Sequence, residues 1–491
     1  MVSTKITPHS QTSNSKHLLR VKSAEELLRR QKARRGLLNF TQYTFKDYMV
    51  APHLEQLAAK LEAVERGEVK RLIVVMPPRY GKSELVSIRF PCWYLGKHPE
   101  DYIVKTSYSE AITLVHSRQA RDVFVSPETK LLFPNVHYRP ERKGQETIIP
   151  ERQAASEWGT KQGGSYYAVG IGGGLTGRGF SLGLVDDAIK DAEEAQSQLI
   201  RDKIWEWYRT VFRTRANPGA AIIVVMTRWH HDDLVGRLLN QAKEDPASDQ
   251  WEVLHFKALT DNQPLWPERY SLDDLMATKS SIGSRNFEAL YQGEPSIAEG
   301  NIIKRAWWRE YEKIPQYMNK VHSWDTAFSA KGESNYSVCS TWGIGDNCYY
   351  LLDVWRGRVD FPELKSTAIQ LYHRDRPQAV LIEEKATGGP LVQELQSAYP
   401  IPVLPVQPHK DKVTRAYAIT PMIEAGKVLI PKAAPWLFDY LEELSSFPTG
   451  QYDDQVDSTT QFLNWISARE EDERVVVYDV EQDFRGLLSD I

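Results

Sequence analysis

VVMPPRYGKSE (Val74 to Glu84) is the stretch on which the reading of this chain turns. The apolar run RLIVVM (71–76) at its start suits a strand buried on both faces, and a helical stretch follows it. A buried strand, a glycine-bearing turn and a helix start make a phosphate cradle, because the first N–H groups of the helix point at the anion. GKS at 81–83 is the core of such a P-loop. Lys82 is expected to reach the β- and γ-phosphates and Ser83 to hold Mg²⁺, with Arg79, Gly81 and Glu84 also in the nucleotide site. Met76 stands where the usual first glycine belongs, so the match is degenerate, and its weight comes from the strand–turn–helix setting.

The second half of a P-loop site is an apolar strand ending in acids, and SLGLVDD supplies one about a hundred residues on. Asp186 is then the Mg²⁺ aspartate and Asp187 stands in the place of the water-activating carboxylate; the plainer alternative is an Asp pair capping a helix. Between the two halves lies GIGGGLTGRGF (Gly170 to Phe180), whose one cation is Arg178. An arginine there can stabilise phosphoryl-transfer charge in its own or a neighbouring subunit, or can simply sit on a surface loop. VVMTRWHHDDLVGR (Val224 to Arg237) brings another buried strand with Thr227 at its exit, the candidate nucleotide sensor. His230 and His231 before Asp232 and Asp233 suggest a metal less than they suggest a helix start with Asp capping. YIVKT (102–106), LGLV (182–185) and AIIVVM (221–226) alternate with amphipathic segments, so Phe40 to Pro295 reads as an α/β domain with a mainly parallel sheet.

GEPSIAEGN (Gly293 to Asn301) reads as a linker, and the texture changes after it. VHSWDTAF, YSVCSTWGI and CYYLLDVWRG are three consecutive strands expected to pair antiparallel; a helix, the strand AVLIEEKA and further helices follow, a mixed α/β order. Acids recur at element ends: Asp325, Glu383 (or Glu384), and the group Asp453, Asp454 and Asp457 at a helix start. Two-metal nucleases need several carboxylates around two cations about 3.5–4 Å apart, and hard oxygen ligands suit Mg²⁺ or Mn²⁺. Taken singly, each acid reads as an ordinary cap or surface residue, and only the set points to a metal site. Lys410, Lys412 and Arg415, before the final helix, either contact a phosphate backbone or decorate a solvated helix start.

The bulk properties set limits. Net charge is −4 over 491 residues, so DNA contacts would be local rather than spread over a cationic surface. Cys92, Cys339 and Cys348 have no CxxC spacing, so neither a zinc cage nor a disulfide framework is indicated, and a reducing cytosol is expected. No apolar run is long enough to span a bilayer. Residues 1–15 read as disordered, and Lys16 to Arg35 as a basic helix that is either solvated or a contact for DNA or a partner. The expected division is an arm (1–36), a P-loop motor (37–298), a nuclease (299–470) and a tail (471–491).

PPRYGKSE, SYSEAITLVHSRQARDVF, LTGRGFSLGLVDD, TRWHHDDLVGR, LYQGEPS, WDTAF, LIEEKATGG and YDDQVDS, in this order, make the chain resemble the large terminase subunit of tailed double-stranded DNA bacteriophages and prophages. The resemblance implies an N-terminal P-loop ATPase and a C-terminal RNase H-like nuclease. It implies ATP-driven packaging of double-stranded DNA into a procapsid and endonucleolytic cutting of concatemers. Its implied partners are a small terminase subunit, the portal protein and further copies in a ring, working in the host cytoplasm and not in the mature virion. Carried over, Lys82 and Ser83 bind ATP and Mg²⁺, Asp186 is the motor's metal aspartate, and Arg178 matches the arginine of a glycine-flanked motif. Asp325, Glu383 and the Asp453–Asp457 group match the nuclease acids. Asp187 stands where many members carry glutamate, one methylene longer, which leaves Glu193 or Glu194 as alternative bases. The rival readings are a repair helicase-nuclease and a nucleotide-gated scaffold with vestigial sites.

Overall fold

The computed structural model describes residues 9–139, 155–175, 177–295, 302–315, 318–327, 336–345, 347–384, 388–407 and 410–469. Residues 1–8 of the expected arm, part of the expected linker and the expected tail lie outside them. The chain divides into two compact units, Met1–Ala277 with Arg285–Ser296 and Thr278–Ser284 with Ile297–Ile491. Among the described residues no helix is long and apolar enough to cross a membrane.

The first unit is built on an eight-stranded sheet: β1 (Arg71–Val75), β2 (Tyr102–Ser107), β3 (Tyr138–Arg139), β4 (Glu157–Thr160), β5 (Ser165–Gly170), β6 (Phe180–Asp186), β7 (Ala216–Met226) and β8 (Glu252–His255). The order is β3-β4-β5-β2-β6-β7-β1-β8. From β5 to β8 all neighbours run parallel, whereas β3, β4 and β5 pair antiparallel. Ile73, Val75, Val104, Val185, Ile222, Val224 and Met226 form its core, which is why these strands read as unbroken apolar runs. A two-stranded ribbon, β9 (Leu259–Thr260) with β10 (Gln263–Pro264), follows.

Helix α1 runs from His9 to Arg35, so residues 9–15 continue the basic helix instead of forming the disordered start expected. HSQTSNS holds neither proline nor glycine, so no strong helix breaker stops the helix nucleated downstream from extending through it. Its C-terminal end is anchored in the first unit: Ala33 is buried, and Trp93 Nε1 donates to Arg34 O at 3.1 Å.

The second unit holds a seven-stranded sheet: β11 (Arg309–Tyr311), β12 (Asn319–Asp325), β13 (Ser337–Gly345), β14 (Cys348–Gly357), β15 (Ala379–Glu383), β16 (Val403–Val406) and β17 (Val428–Pro431). Its order is β11-β17-β14-β13-β12-β15-β16. The β12–β13–β14 meander is antiparallel as expected, and β15 joins β12 in parallel. β16 and β17 are strands that sequence patterning does not reveal. The run PIPVLPVQP is broken by prolines, tolerated because β16 is an edge strand, and β17 is only four residues long. Val321, Val338 and Leu381 face the helices Lys412–Glu424, Leu437–Ser446 and 454–469. Trp324, Cys339, Val380 and Ile382 face Phe361–Asp375 and Gly388–Ala398 on the other side.

Candidate functional site

In the first unit the parallel pairing sets the ends of β6, β7 and β1 side by side: Asp186 aligns with Val225, and Val75 with Met226. The P-loop leaves β1, and Asp186 and Thr227 close β6 and β7 at the same edge, where open α/β sheets bind ligands. The turn holds two residues in the left-handed region, Arg79 at φ 67° and Gly81 at φ 90°. A Cβ on Gly81 would also come within 3.1 Å of Leu54, so glycine serves both the dihedral and the close approach. Lys82 Nζ lies 2.7 Å from Asp187 Oδ2 and donates to Thr227 Oγ1. The Thr227 amide donates to Asp187 Oδ1 at 2.8 Å. Ser83 Oγ donates to Asp186 Oδ1 at 3.3 Å, and Ser87 Oγ to Asp186 Oδ2 at 2.7 Å. Asp186 is buried, which works to raise its pKa, yet the ammonium groups of Lys105 and Lys82 hold it below the ordinary carboxylate value.

A cavity of about 490 Å³ opens on this edge, lined by Arg79, Gly81, Lys82, Ser83 and Glu84 on one side and by Phe45, Tyr48, Met49, Trp266 and Arg269 on another. That size and mixture suit a small molecule with a polar and an aromatic end. Glu84 is engaged with Arg89 at 2.6 Å. Arg178 does not stand free: it pairs with Glu157 at 2.9 Å, its guanidinium 4.1 Å from the Tyr167 ring centre. Glu194 accepts from the Lys190 amide at 2.9 Å and lies with Glu193 in the short helix Ala192–Gln196. The Asp-capping expectation holds downstream, where Asp233 accepts from the Gly236 amide at 2.9 Å.

In the second unit β12 and β15 run parallel with Trp324 beside Ile382, so Asp325 and Glu383 end adjacent strands. Side chains alternate along a strand. Asp325 therefore shares the face of Val321, and Glu383 that of Leu381, the side covered by 454–469. Asp454 and Asp457 are buried in the first turn of that helix. Glu383 is buried whereas Glu384 is exposed and accepts from Gln407 at 3.2 Å, which separates the two candidates.

Lys412 and Arg415 open the helix Lys412–Glu424 and are not a solvated decoration, whereas Lys410 is exposed. Lys412 Nζ lies 2.7 Å from both Asp453 Oδ2 and Asp457 Oδ2. Arg415, itself buried, reaches Asp457 Oδ1 at 2.9 Å and Glu383 Oε2 at 3.3 Å. Gathering so many acids would be unstable without such cations. Even so, burial and then Asp457, Glu383 and Asp454 push Asp325 well above the usual carboxylate range. Burial, Glu443 and Asp453 push Asp454 up to about 6. Asp454 Oδ2 is buried with no hydrogen-bond partner among the described residues. As placed, no three His, Cys, Asp or Glu side chains among the described residues enclose a metal position. Six carboxylates, Glu443 included, against Lys412, Arg415 and Arg356 nonetheless leave negative charge in excess, and hard oxygen donors with an orphaned buried oxygen fit a divalent cation.

Sequence patterning missed several contributors. Ser87, Lys105 and His116 lie behind Asp186, and Phe45, Tyr48, Trp266 and Arg269 line the cavity. Lys105 had a signal, a lysine inside the apolar run YIVKT.

Residues 73–310 match the family model "Terminase large subunit, T4likevirus-type, N-terminal", and residues 322–465 match "Terminase RNaseH-like domain". Comparison with curated proteins found no match. Similar solved structures include the large terminase of a thermophilic bacteriophage, at 13% identity and TM-score 0.44, over 87% of this chain and 98% of that one. The large terminase of bacteriophage HK97 is similar at 13% identity and TM-score 0.34, over 85% of this chain and 95% of that one. The large terminase nuclease of thermophilic phage G20c with bound magnesium covers 34% of this chain and 98% of its own, at 15% identity and TM-score 0.27. The assignment rests on the two family models, which stand in the expected order over most of the sequence. The chain belongs to the large terminase family of bacteriophages, proteins that join a DNA-packaging ATPase domain to an RNase H-like nuclease domain.

Proposed function

We propose that the first unit hydrolyses ATP to drive double-stranded DNA into a procapsid, and that the second cuts concatemeric DNA with Mg²⁺, for which Mn²⁺ can substitute. What carries the reading is the meeting of Lys82, Ser83, Asp186 and Thr227, from three stretches of sequence, at one sheet edge beside a cavity. Lys82 would bind the β- and γ-phosphates, while Ser83 and Asp186 would hold the nucleotide's cation. In the described state Lys82 grips Asp187. Phosphates that draw the ammonium away would free Asp187 to orient water, with Glu193 or Glu194 as the alternative base. Thr227 contacts both Lys82 and Asp187, so its position changes with either, as a nucleotide sensor requires. Arg178 would leave Glu157 to meet transition-state charge.

In the second unit Asp325, Glu383 and Asp454, with Asp453 and Asp457, would hold divalent cations. Metal bound there supplies charge stabilisation to the phosphoryl group and a nucleophilic water. Lys412 and Arg415 would hold the acids in place and balance their charge. Double-stranded DNA is the substrate; a small terminase subunit, the portal and a ring of copies in the host cytoplasm complete the proposed machine.

Lys82→Ala should abolish ATP hydrolysis in a folded protein, and Asp325→Ala should abolish plasmid cleavage while leaving ATP hydrolysis unchanged. Wild-type ATP turnover in the first variant would refute the motor reading, and wild-type cleavage in the second the nuclease reading.

A further inference from the structure

Lys105 lies in the middle of β2, wholly buried, with Leu184 of β6 on one side and Ala168 of β5 on the other. Burying an ammonium costs several kcal/mol unless charge and hydrogen bonds offset it. Nothing in the roles given to Lys82, Ser83, Asp186 and Thr227 uses this residue. Its Nζ donates to His116 Nδ1 at 3.0 Å, from helix α2 (Glu110–Val125) packed over the sheet. His116 Nδ1 in turn lies 3.5 Å from Asp186 Oδ2. That separation is too long for a hydrogen bond, and a nitrogen accepting from Lys105 carries no proton to give. An ammonium can only donate, so the His116 ring accepts through Nδ1 and stands neutral. It therefore fills the space between ammonium and carboxylate and is not itself an ion-pair partner.

The two oxygens of Asp186 are consequently treated differently. Oδ2 accepts from Ser87 and faces the His116–Lys105 pair, on the inner side. Oδ1 meets the P-loop hydroxyl of Ser83. We infer that Lys105, His116 and Ser87 form a buried backstop that positions Asp186, tying down Oδ2 so that Oδ1 is presented beside Ser83 to the cation of a bound nucleotide. This rests on the reading of the first unit as the ATP site. Lys105 is a positioning residue: it acts through Asp186 and touches no reacting atom.

Groups that orient a metal ligand typically contribute about 10–100-fold in metal affinity or activity. In the full-length Lys105→Met protein, the Mg²⁺ concentration for half-maximal ATP hydrolysis should therefore rise by roughly 10-fold or more. Binding of a fluorescent ATP analogue in EDTA should stay at the wild-type level, while the increment that Mg²⁺ adds to that binding should shrink. Ser87→Ala, which removes one small hydroxyl, should shift the Mg²⁺ requirement the same way by less, and it decides the matter if Lys105→Met does not fold. A wild-type Mg²⁺ requirement in a folded variant overturns the inference, as does an equal loss of analogue binding in EDTA and in Mg²⁺. Lys82→Ala separates the two levels: if it hydrolyses ATP normally, the site reading fails; if it is inactive while Mg²⁺ dependence is unmoved in Lys105→Met and Ser87→Ala, only the backstop fails.

Discussion

Removing the Arg415 guanidinium tests how the second unit tolerates its acids. Arg415, Glu383 and Asp457 are 8%, 4% and 3% exposed, so solvent screens their contacts little. Arg415→Met keeps much of the stem volume but leaves Glu383 and Asp457 facing Asp325 and Asp454 with less counter-charge, Lys412 remaining at Asp457 and Arg356 near Asp454. Breaking a buried pair by deleting one partner costs about 3–5 kcal/mol. For a unit of this size each kcal/mol moves Tm by about 2–4 °C, so the metal-free loss should be roughly 6–20 °C. A divalent cation restores positive charge to the same carboxylates. A ligand at 100 times its dissociation constant stabilises by about 2.7 kcal/mol, and the increment should exceed the wild type's in the variant, where the unbalanced charge is larger. Calorimetry of both proteins in EDTA and in saturating Mg²⁺ reads the comparison. An equal Tm loss in both conditions would show that Arg415 is merely structural, and no Mg²⁺ stabilisation of either protein would show that the acids hold no metal.

The raised Asp454 carboxyl gives a pH signature. Its stabilising contribution is full below the ordinary value of 3.8 and is lost as pH rises through about 6, so the metal-free second unit should gain stability from this group on acidification across that window. Asp454→Asn should flatten that part of the stability profile, and an unchanged slope in urea titrations would contradict the assignment. Gly388 must lack a side chain, because a Cβ there would lie 1.9 Å from Glu383 O. Gly388→Ala should displace the end of β15 and abolish plasmid cleavage with ATP hydrolysis retained; undiminished cleavage would mean the strand end can shift freely. If Arg178 acts in a neighbouring subunit, mixing Arg178→Ala with Asp186→Ala protein should restore some ATP hydrolysis. Full activity in Arg178→Ala alone would remove it from the reaction.

The sequence by itself determined the class of fold and the order of the two units. Buried parallel strands leave unbroken apolar runs, a P-loop is local in sequence, and Lys82, Ser83, Asp186 and Asp187 sit at the ends of such runs. The β12–β13–β14 meander was legible because short turns join alternating strands. The strands β16 and β17 were not, since prolines and short length erase the pattern. Tertiary structure alone decided which Glu of the pair turns inward, because strand parity acts only once β12 and β15 are in register. It also decided that Lys412 and Arg415 balance the clustered acids of the second unit, a pairing between helices some forty residues apart. The same holds behind Asp186, where Ser87, Lys105 and His116 come from three separate elements. Periodicity reports which face of an element is apolar; it says nothing of which polar groups from distant elements share a buried space, because that depends on how the layers close.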